Sequence, residues 1–281
     1  MQKTLKKYFA FFALPTIIAF SISFIIPFCM GVYLSFTEFT TVTNARFVGF
    51  SNYVTAFTMD NNFVNALWFT VRFTVVSIIT INSIAFTLAM LLTKSIRGTN
   101  VFRTVFFMPN LIGGIVLGYI WQLIINGVLL NFGVDVTFAA KYGFWGLVVL
   151  MNWQMAGYMM VIYIAGIQNI SPDLLEAASI DGATKTQTLF RIMIPMVMPS
   201  ITICTFLTLT NSFKLFDQNF ALTNGAPGRE TAMLALDIYT TFYGRMGFEG
   251  VGQAKAVVFF LMVAVIALSQ LLITRSREVE S

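Results

Sequence analysis

Residues 171–195 read SPDLLEAASIDGATKTQTLFRIMIP and lie between two apolar runs, each long enough to cross a membrane. Ser171, Pro172 and Asp173 form a helix start, with a capping residue, a proline at the first helical position and an acid near the positive end of the dipole. Gly182 is predicted to stop this helix or to let another surface approach closely. The segment therefore predicts a helix of about ten residues, ~15 Å long.

The predicted helix is amphipathic. Leu174, Leu175 and Ala178 fall on one face at helical spacing. An ordinary helix lying in the membrane interface is the alternative, but such helices usually carry Lys, Arg and bulky apolar groups. The small residues and acids of this segment argue against that alternative.

The composition of the whole chain indicates an integral membrane protein. Of its 281 residues, 57% are hydrophobic and 10% are charged, whereas a soluble domain carries about 25% charged residues. This excludes a soluble enzyme, a secreted disulfide scaffold and a disordered chain. The sequence has no His, and its cysteines, Cys29 and Cys204, stand far apart in apolar runs, so they are interpreted as inert hydrophobic residues and no metal site is predicted.

A helix needs roughly 20 apolar residues to cross the hydrocarbon core, and the sequence has six such stretches. They span about 11–36, 66–92, 104–125, 143–167, 189–212 and 254–273. We predict one all-α membrane domain over 1–281, with the loop 169–188 between the fourth and fifth spans.

The basic residues indicate an orientation. With the N-terminus inside, the inner side receives ten basic and five acidic residues, and the outer side receives seven of each. The formal surplus of +5 therefore falls on one side. Because cytoplasmic loops are enriched in Lys and Arg, both termini are predicted to be cytoplasmic, and this surplus does not indicate nucleic acid.

The loop resembles the EAA signature of ABC importer permeases, in particular the carbohydrate-uptake, maltose-type branch. Glu176-Ala177-Ala178 is followed after three intervening residues by Gly182 and, after nine more intervening residues, by Ile192-Met193-Ile194-Pro195. Ile194 is a conservative departure from the leucine of the family pattern. The stretches 211–217, 222–228 and 109–131 are also similar to that branch, with Ala226 where Gly is usual, so the resemblance covers about residues 10–275.

This resemblance implies the fold and the partners. The fold is the type I ABC importer permease fold, with six transmembrane helices and a cytoplasmic coupling helix in the bacterial cell membrane. The partners are a second permease subunit, a dimeric cytoplasmic ATPase and an extracytoplasmic solute-binding protein. The residues implied in ATPase coupling are Glu176, Ala177, Ala178, Asp181 and Gly182. No phosphate-binding loop occurs in the sequence, so no cofactor is predicted in this chain, and ATP and Mg are assigned to the ATPase.

Polar residues inside the spans are candidates for the substrate pathway, because they are costly in a membrane unless they face protein or water. In the fourth span, Gln154 and Tyr158 can share a face, whereas Asn152 and Gln154 cannot. The fifth span carries a polar stripe. The candidate pathway residues are Asn152, Gln154, Tyr158, Thr205, Thr208 and Ser212. Interhelical hydrogen bonding is the alternative role for both sets.

The chemistry of these residues favours a neutral sugar. Amides, hydroxyls and an aromatic face suit a polyol, whereas an anion would want a buried Arg or Lys. Arg72 is close enough to the outer end of the second span to reach the headgroups, and Lys214 and Asp217 are placed at the outer exit of the fifth span. We expect a permease for a sugar, with an oligosaccharide as the first candidate, that is not itself an enzyme. A permease for glycerol phosphate or another polyol is the alternative, followed by a stand-alone secondary transporter.

Overall fold

The computed structural model describes residues 2–59, 61–94 and 97–275, which are mainly helical. The charges that the sequence places at Asp60 and in 276–281 lie outside the described residues. The α-helices, in chain order, are α1 Gln2–Phe20, α2 Ile26–Leu34, α3 Ser51–Thr58, α4 Asn61–Leu92, α5 Thr99–Phe107, α6 Gly114–Leu129, α7 Ala140–Gln168, α8 Pro172–Ile180, α9 Lys185–Thr188, α10 Ile194–Met196, α11 Met198–Phe213, α12 Asp217–Leu222, α13 Leu234–Gly244 and α14 Glu249–Arg275. A short antiparallel hairpin pairs β1 Thr37–Glu38 with β2 Arg46–Phe47.

Among the described residues, five helical segments are long and apolar enough to cross a membrane, and one bent pair of helices is a sixth candidate. The candidates are Ala13–Leu34, Asn62–Leu92, Gly114–Phe132, Ala140–Gln168, Glu249–Ile273, and Lys185–Met196 with Met198–Phe213. Each of these overlaps one of the six stretches predicted from hydropathy. The structure therefore supports a six-span, all-α membrane protein.

The predicted third span, 104–125, is wrong as a single helix. The chain forms α5, then a 3-10 turn at Met108–Leu111, and Ile112 is extended before α6 begins at Gly114. Pro109 supplies no N–H to continue the helix, so the membrane-length segment starts later than predicted.

The predicted fifth span, 189–212, is also not straight. A π-helical turn at Leu189–Met193 leads into α10, and the axis bends by 69° at Val197 before α11 begins. Pro195 and Pro199 stand on either side of this bend. Because each proline removes a backbone N–H from the helical ladder, the span breaks between them.

The described residues pack as two compact units, and one of these comprises residues 1–63 and 238–260. Asn52 of α3 is buried in this unit and donates from Nδ2 to the carbonyl oxygens of Ser35 and Thr37 at 3.0 and 2.8 Å. Lys255 of α14 is fully buried and donates from Nζ to Thr241 Oγ1 at 2.8 Å. These polar contacts fix the hairpin region and the part of α13 from residue 238 onwards within the unit.

The other unit comprises residues 64–237 and 261–281 as far as they are described, and α7 is its central element. Small residues let the helices approach closely, as is usual inside membranes. A Cβ on Gly157 of α7 would overlap the carbonyl group of Phe106 on α5. A Cβ on Gly118 of α6 would lie 2.6 Å from that of Ala221 on α12. These contacts bring α5 against α7 and α12 against α6.

Candidate functional site

The helix start predicted in the loop 169–188 is present in the structure. Pro172 is the first residue of α8 and Asp173 lies in its first turn, as predicted. Ser171 occupies the capping position, although its side chain makes no capping hydrogen bond. A second start follows at Thr184, whose hydroxyl accepts from the backbone N–H of Gln187 at 3.3 Å before α9. The loop is therefore two short helices joined by a tight turn.

Gly182 ends α8 through its backbone conformation. Its φ is +75°, and nothing lies within 4 Å of a Cβ built on it. The N–H of Ala183 donates to the carbonyl of Ala178 at 2.9 Å, and that of Gly182 donates to Ser179 at 3.2 Å. This is the Schellman arrangement, which favours glycine at the left-handed position. Of the two roles predicted for Gly182, the described residues support the helix stop.

One side of α8 packs on the chain itself and the other faces outward. Ala178 is buried, and Leu175 packs against the core of the unit. Leu174 was predicted to share that face, but 45% of its surface is exposed. Glu176, Ala177 and Asp181 are exposed. Of the five coupling candidates, Ala178 is therefore used within the chain, and the others remain accessible.

Ile180 is a candidate that the sequence prediction missed. It stands at the end of α8 with 86% of its surface exposed. In a helix it lies on the side opposite Leu175 and Ala178, close to Glu176 and Ala177. The helical spacing from Ala177 to Ile180 was the available signal. These exposed residues make a small apolar surface edged by acids.

A second candidate site is a polar cavity of about 300 Å³. Its lining joins the middle of α7 to the segment between α11 and α12. The lining residues are Asn110, Met151, Gln154, Met155, Asn211, Lys214, Leu215, Phe216, Asp217 and Gln218. Lys214 and Asp217 carry opposite charges, so the lining has no formal net charge.

Gln154 is the predicted pathway residue that lines this cavity. It is 7% exposed, and its Oε1 accepts a hydrogen bond from Gln218 Nε2 at 2.8 Å. Gln218 is held in place by α12, which packs on α6 through Gly114 and Gly118. Gly114 and Gly118 on α6 thus allow the Gln218 amide to reach the Gln154 amide.

Asn152 and Tyr158 lie elsewhere. Asn152 donates from Nδ2 to Thr80 Oγ1 at 2.9 Å and lines a separate, largely apolar cavity of about 410 Å³. The ring of Tyr158 packs edge-on against Phe107 at 6.3 Å between centroids. Asn152 and Gln154 therefore occupy different faces, as predicted, while Tyr158 does not join Gln154 in the polar cavity.

The hydroxyl stripe of the fifth span lies largely in helix packing. Thr208 is fully buried, donates to the carbonyl of Cys204 at 2.8 Å, and lies 3.4 Å from Asn82 Nδ2. Asn82 also accepts from the Tyr163 hydroxyl at 2.8 Å. Ser212 is fully buried and Thr205 is half-buried. This arrangement fits the alternative of interhelical hydrogen bonding for Thr208.

The sequence prediction missed Asn110, Asn211 and Gln218 as cavity residues and placed Lys214 and Asp217 only at a rim. The signal for Asn211, Lys214, Asp217 and Gln218 was the density of amide and charged side chains at 211–218, at the end of an apolar span. Within the described residues, no group of three or more His, Cys, Asp or Glu side chains is arranged to hold a metal ion.

Comparison with known proteins gives consistent matches. The sequence profile of the family described as "Binding-protein-dependent transport system inner membrane component" matches residues 81–278. The probable starch degradation products transport system permease protein AmyD of Thermoanaerobacterium thermosulfurigenes is 44% identical over 278 residues, covering 96% of this chain and 94% of the relative. The multiple sugar-binding transport system permease protein MsmF of Streptococcus mutans serotype c is 29% identical over 290 residues, covering 99% of both chains.

The fold is also found in a solved structure. A chain of a bacterial ABC transporter involved in the import of the acidic polysaccharide alginate superimposes with a TM-score of 0.80, covering 98% of both chains. The two sequences are 22% identical. This similarity establishes the fold.

Proposed function

The chain belongs to the family of binding-protein-dependent transport system inner membrane components, and we propose that it forms half of the pathway of an ATP-driven importer for neutral oligosaccharides. Family membership makes it a multi-pass membrane permease of the ABC importer type whose partner is a solute-binding protein. The solute, the remaining subunits and the orientation are parts of the proposal.

The polar cavity around Gln154 carries the proposal. Amide groups can donate and accept hydrogen bonds at once, which matches the hydroxyl groups of a sugar. Lys214 and Asp217 cancel in formal charge, so the lining does not select an anion. The apolar side chains of Met151 and Met155 provide a surface for the less polar faces of a sugar ring. We therefore assign the first solute contacts of this subunit to this cavity.

The relatives support a sugar as the solute. The named cargo of AmyD is starch degradation products, and MsmF belongs to a multiple sugar-binding transport system. A cavity of about 300 Å³ that is open to its surroundings accommodates only part of an oligosaccharide. The described residues of this chain contain up to six candidate spans. Six spans form only half of the proposed pathway, so we propose that a second, distinct permease subunit supplies the other half.

The exposed surface of α8 is the proposed contact for a separate ATPase. Glu176, Ala177, Ile180 and Asp181 are accessible to a partner, while Leu175 and Ala178 fix α8 to the bundle. A helix attached in this way can transmit closure of an ATPase dimer as a rigid-body movement. ATP and Mg belong to that partner subunit, and we propose no cofactor for this chain.

The proposed ATPase contact also sets the orientation. An ATPase in the cytoplasm requires α8 to be cytoplasmic, which agrees with the excess of basic residues predicted on that side. Both termini are then cytoplasmic, in the cell membrane of a bacterium.

The proposal is tested by measuring the ATPase activity of the assembled transporter. The complex is purified through a tag on this chain, placed in lipid nanodiscs and mixed with its solute-binding protein. Neutral oligosaccharides from starch, glycerol 3-phosphate and an acidic oligosaccharide of similar length are compared. We expect only the neutral oligosaccharides to stimulate ATP hydrolysis. Stronger stimulation by glycerol 3-phosphate would identify the alternative solute and contradict the proposal.

A further inference from the structure

A third open cavity, of about 600 Å³, lies between the N-terminal parts of α4 and α7. Its lining includes Trp68, Arg72, Lys141, Trp145 and Glu230. It therefore combines two cations, one acid and exposed aromatic rings, and it shares no residue with the polar cavity around Gln154.

The position of Arg72 along α4 is compatible with a location of this cavity at a membrane surface. Arg72 stands 20 residues before Leu92, the last residue of α4, which corresponds to ~30 Å of helix. That length matches the thickness of the hydrocarbon core, about 30 Å. When Leu92 lies at one boundary of the core, Arg72 lies at the other, at the level of the lipid phosphates.

The aromatic residues agree with that depth. Trp68 and Trp145 are 60% and 57% exposed, although both line the cavity. Exposed tryptophans of membrane proteins are concentrated at the boundary between hydrocarbon and headgroups. Phe69 and Phe144, which meet edge-on at 5.6 Å, also line the cavity. The aromatic rings thus provide an apolar wall on which acyl chains can lie.

The basic groups and the start of α7 suit a phosphate group. Arg72 uses its Nε to donate to the carbonyl of Trp68 at 3.3 Å, which occupies one of its five N–H donors. Ala139, at the capping position of α7, provides no side-chain hydrogen bond. The first N–H groups of this 29-residue helix therefore add partial positive charge beside Ala140 and Lys141.

Glu230 adds the opposite charge to the same lining. In the ranges that the structure describes, no ion pair within 4.0 Å joins Glu230 to Arg72 or Lys141. A ligand with both an anionic and a cationic group would complement the separated charges. A purely anionic ligand has no cationic group that could pair with the Glu230 carboxylate.

We propose that this cavity binds an amine-bearing glycerophospholipid, such as phosphatidylethanolamine. Its phosphate contacts Arg72, Lys141 and the first turn of α7, and its ammonium group lies towards Glu230. The acyl chains follow the aromatic wall into the bilayer. This site is separate from the proposed solute contacts and does not depend on the identity of the sugar.

The test measures lipid retention by native mass spectrometry. The assembled transporter is purified through a tag on the full-length chain. The delipidated complex is titrated with phosphatidylethanolamine or phosphatidylglycerol of the same acyl chains, with inorganic phosphate as a competitor. The double variant Arg72→Gln, Lys141→Gln is compared with Arg46→Gln, Arg245→Gln, which removes two basic residues outside the cavity lining.

We expect the double variant in the cavity to bind phosphatidylethanolamine at least about tenfold more weakly, while the matched control binds like the parent. Glu230→Gln is expected to reduce the preference for phosphatidylethanolamine over phosphatidylglycerol.

Equal retention by the cavity variant and the parent would overturn the proposal. Displacement by millimolar inorganic phosphate would instead identify a free-phosphate site, and loss of solute-binding-protein association with unchanged lipid retention would identify a protein contact. Either result also overturns the proposal.

Discussion

Gln218 donates a hydrogen bond of 2.8 Å to Gln154, joining two amide side chains that are 64 residues apart in the sequence. The bond links the middle of α7, the most buried of the five unbent candidate spans in the described residues, to the short helix that follows the fifth span. Each amide retains further hydrogen-bonding capacity, and both face the same polar cavity. The same hydrogen bond therefore joins α7 to α12 and orients two amides of the proposed solute site.

Replacing Gln154 by Leu is expected to reduce sugar transport without preventing assembly. The change removes the acceptor for Gln218 and the solute-facing amide, and the loss of one or two hydrogen bonds corresponds to about a tenfold lower rate at limiting sugar. Uptake in proteoliposomes measures the effect. Gln168→Leu, the same change at the exposed last residue of α7 and outside the cavity lining, is the control and is expected to transport normally. Equal transport by Gln154→Leu and the control would remove Gln154 from the solute site.

Ile180→Glu is expected to release the ATPase while leaving the chain inserted in the membrane. Ile180 is 86% exposed, so its replacement breaks no packing in this chain. Burying a new carboxylate in an apolar contact would cost desolvation free energy. The carboxylate would also add negative charge beside Glu176 and Asp181. Copurification of the ATPase with a tagged permease measures the loss. Thr186→Glu, at an exposed position of α9, is the matched charge control, and equal retention of the ATPase by both variants would rule out Ile180 as a contact.

Gly182→Asn is expected to retain more ATPase coupling than Gly182→Val. The φ of +75° at Gly182 is tolerated by Asn far better than by a β-branched residue. The ratio of sugar uptake to ATP hydrolysis in proteoliposomes reports coupling. Equal loss of coupling in both variants would contradict the explanation that Gly182 is needed for its positive φ. It would indicate instead that the partner surface approaches Gly182 directly.

Gly157→Ala is expected to destabilise the helix bundle. A Cβ at this position would overlap the Phe106 carbonyl group, and backbone cannot move away as a flexible side chain can. Overpacking of this kind costs about 1–3 kcal/mol, so the thermal unfolding midpoint of the detergent-purified complex should fall. Gly127→Ala in α6, where nothing lies within 4 Å, is the control and should unfold at the parent temperature or above. A parent-like midpoint for Gly157→Ala would show that α5 can move away from α7.

Much of the fold could be predicted from local sequence. The six apolar stretches and the start of α8 at Pro172 required only span length and capping chemistry. The breaks at Ile112 and Val197 were missed because apolar composition remains high through them, while Pro109, Pro195 and Pro199 alter only the backbone. Hydropathy therefore indicated where the chain crosses the membrane and gave no information on where a crossing bends.

The polar cavity was less accessible to prediction. Gln154 was identified because an amide inside a span is unusual, but its partner Gln218 lies outside the predicted spans. Thr208 looked like a pathway residue by the same reasoning, yet it is buried beside Asn82 and Cys204. A polar residue in a span faces either a cavity or another helix, and only the packing of α4, α7 and α11 distinguishes the two.

ATP-dependent uptake of a labelled neutral oligosaccharide into proteoliposomes decides whether this chain belongs to an ATP-driven importer of neutral oligosaccharides. The proteoliposomes contain the complex purified through this chain, with its solute-binding protein on the side opposite ATP. We expect uptake that requires ATP and is abolished by Ile180→Glu, with no uptake of an acidic oligosaccharide of equal length. Accumulation of the acidic oligosaccharide in preference to the neutral one, or neutral uptake that does not require ATP, would contradict this expectation.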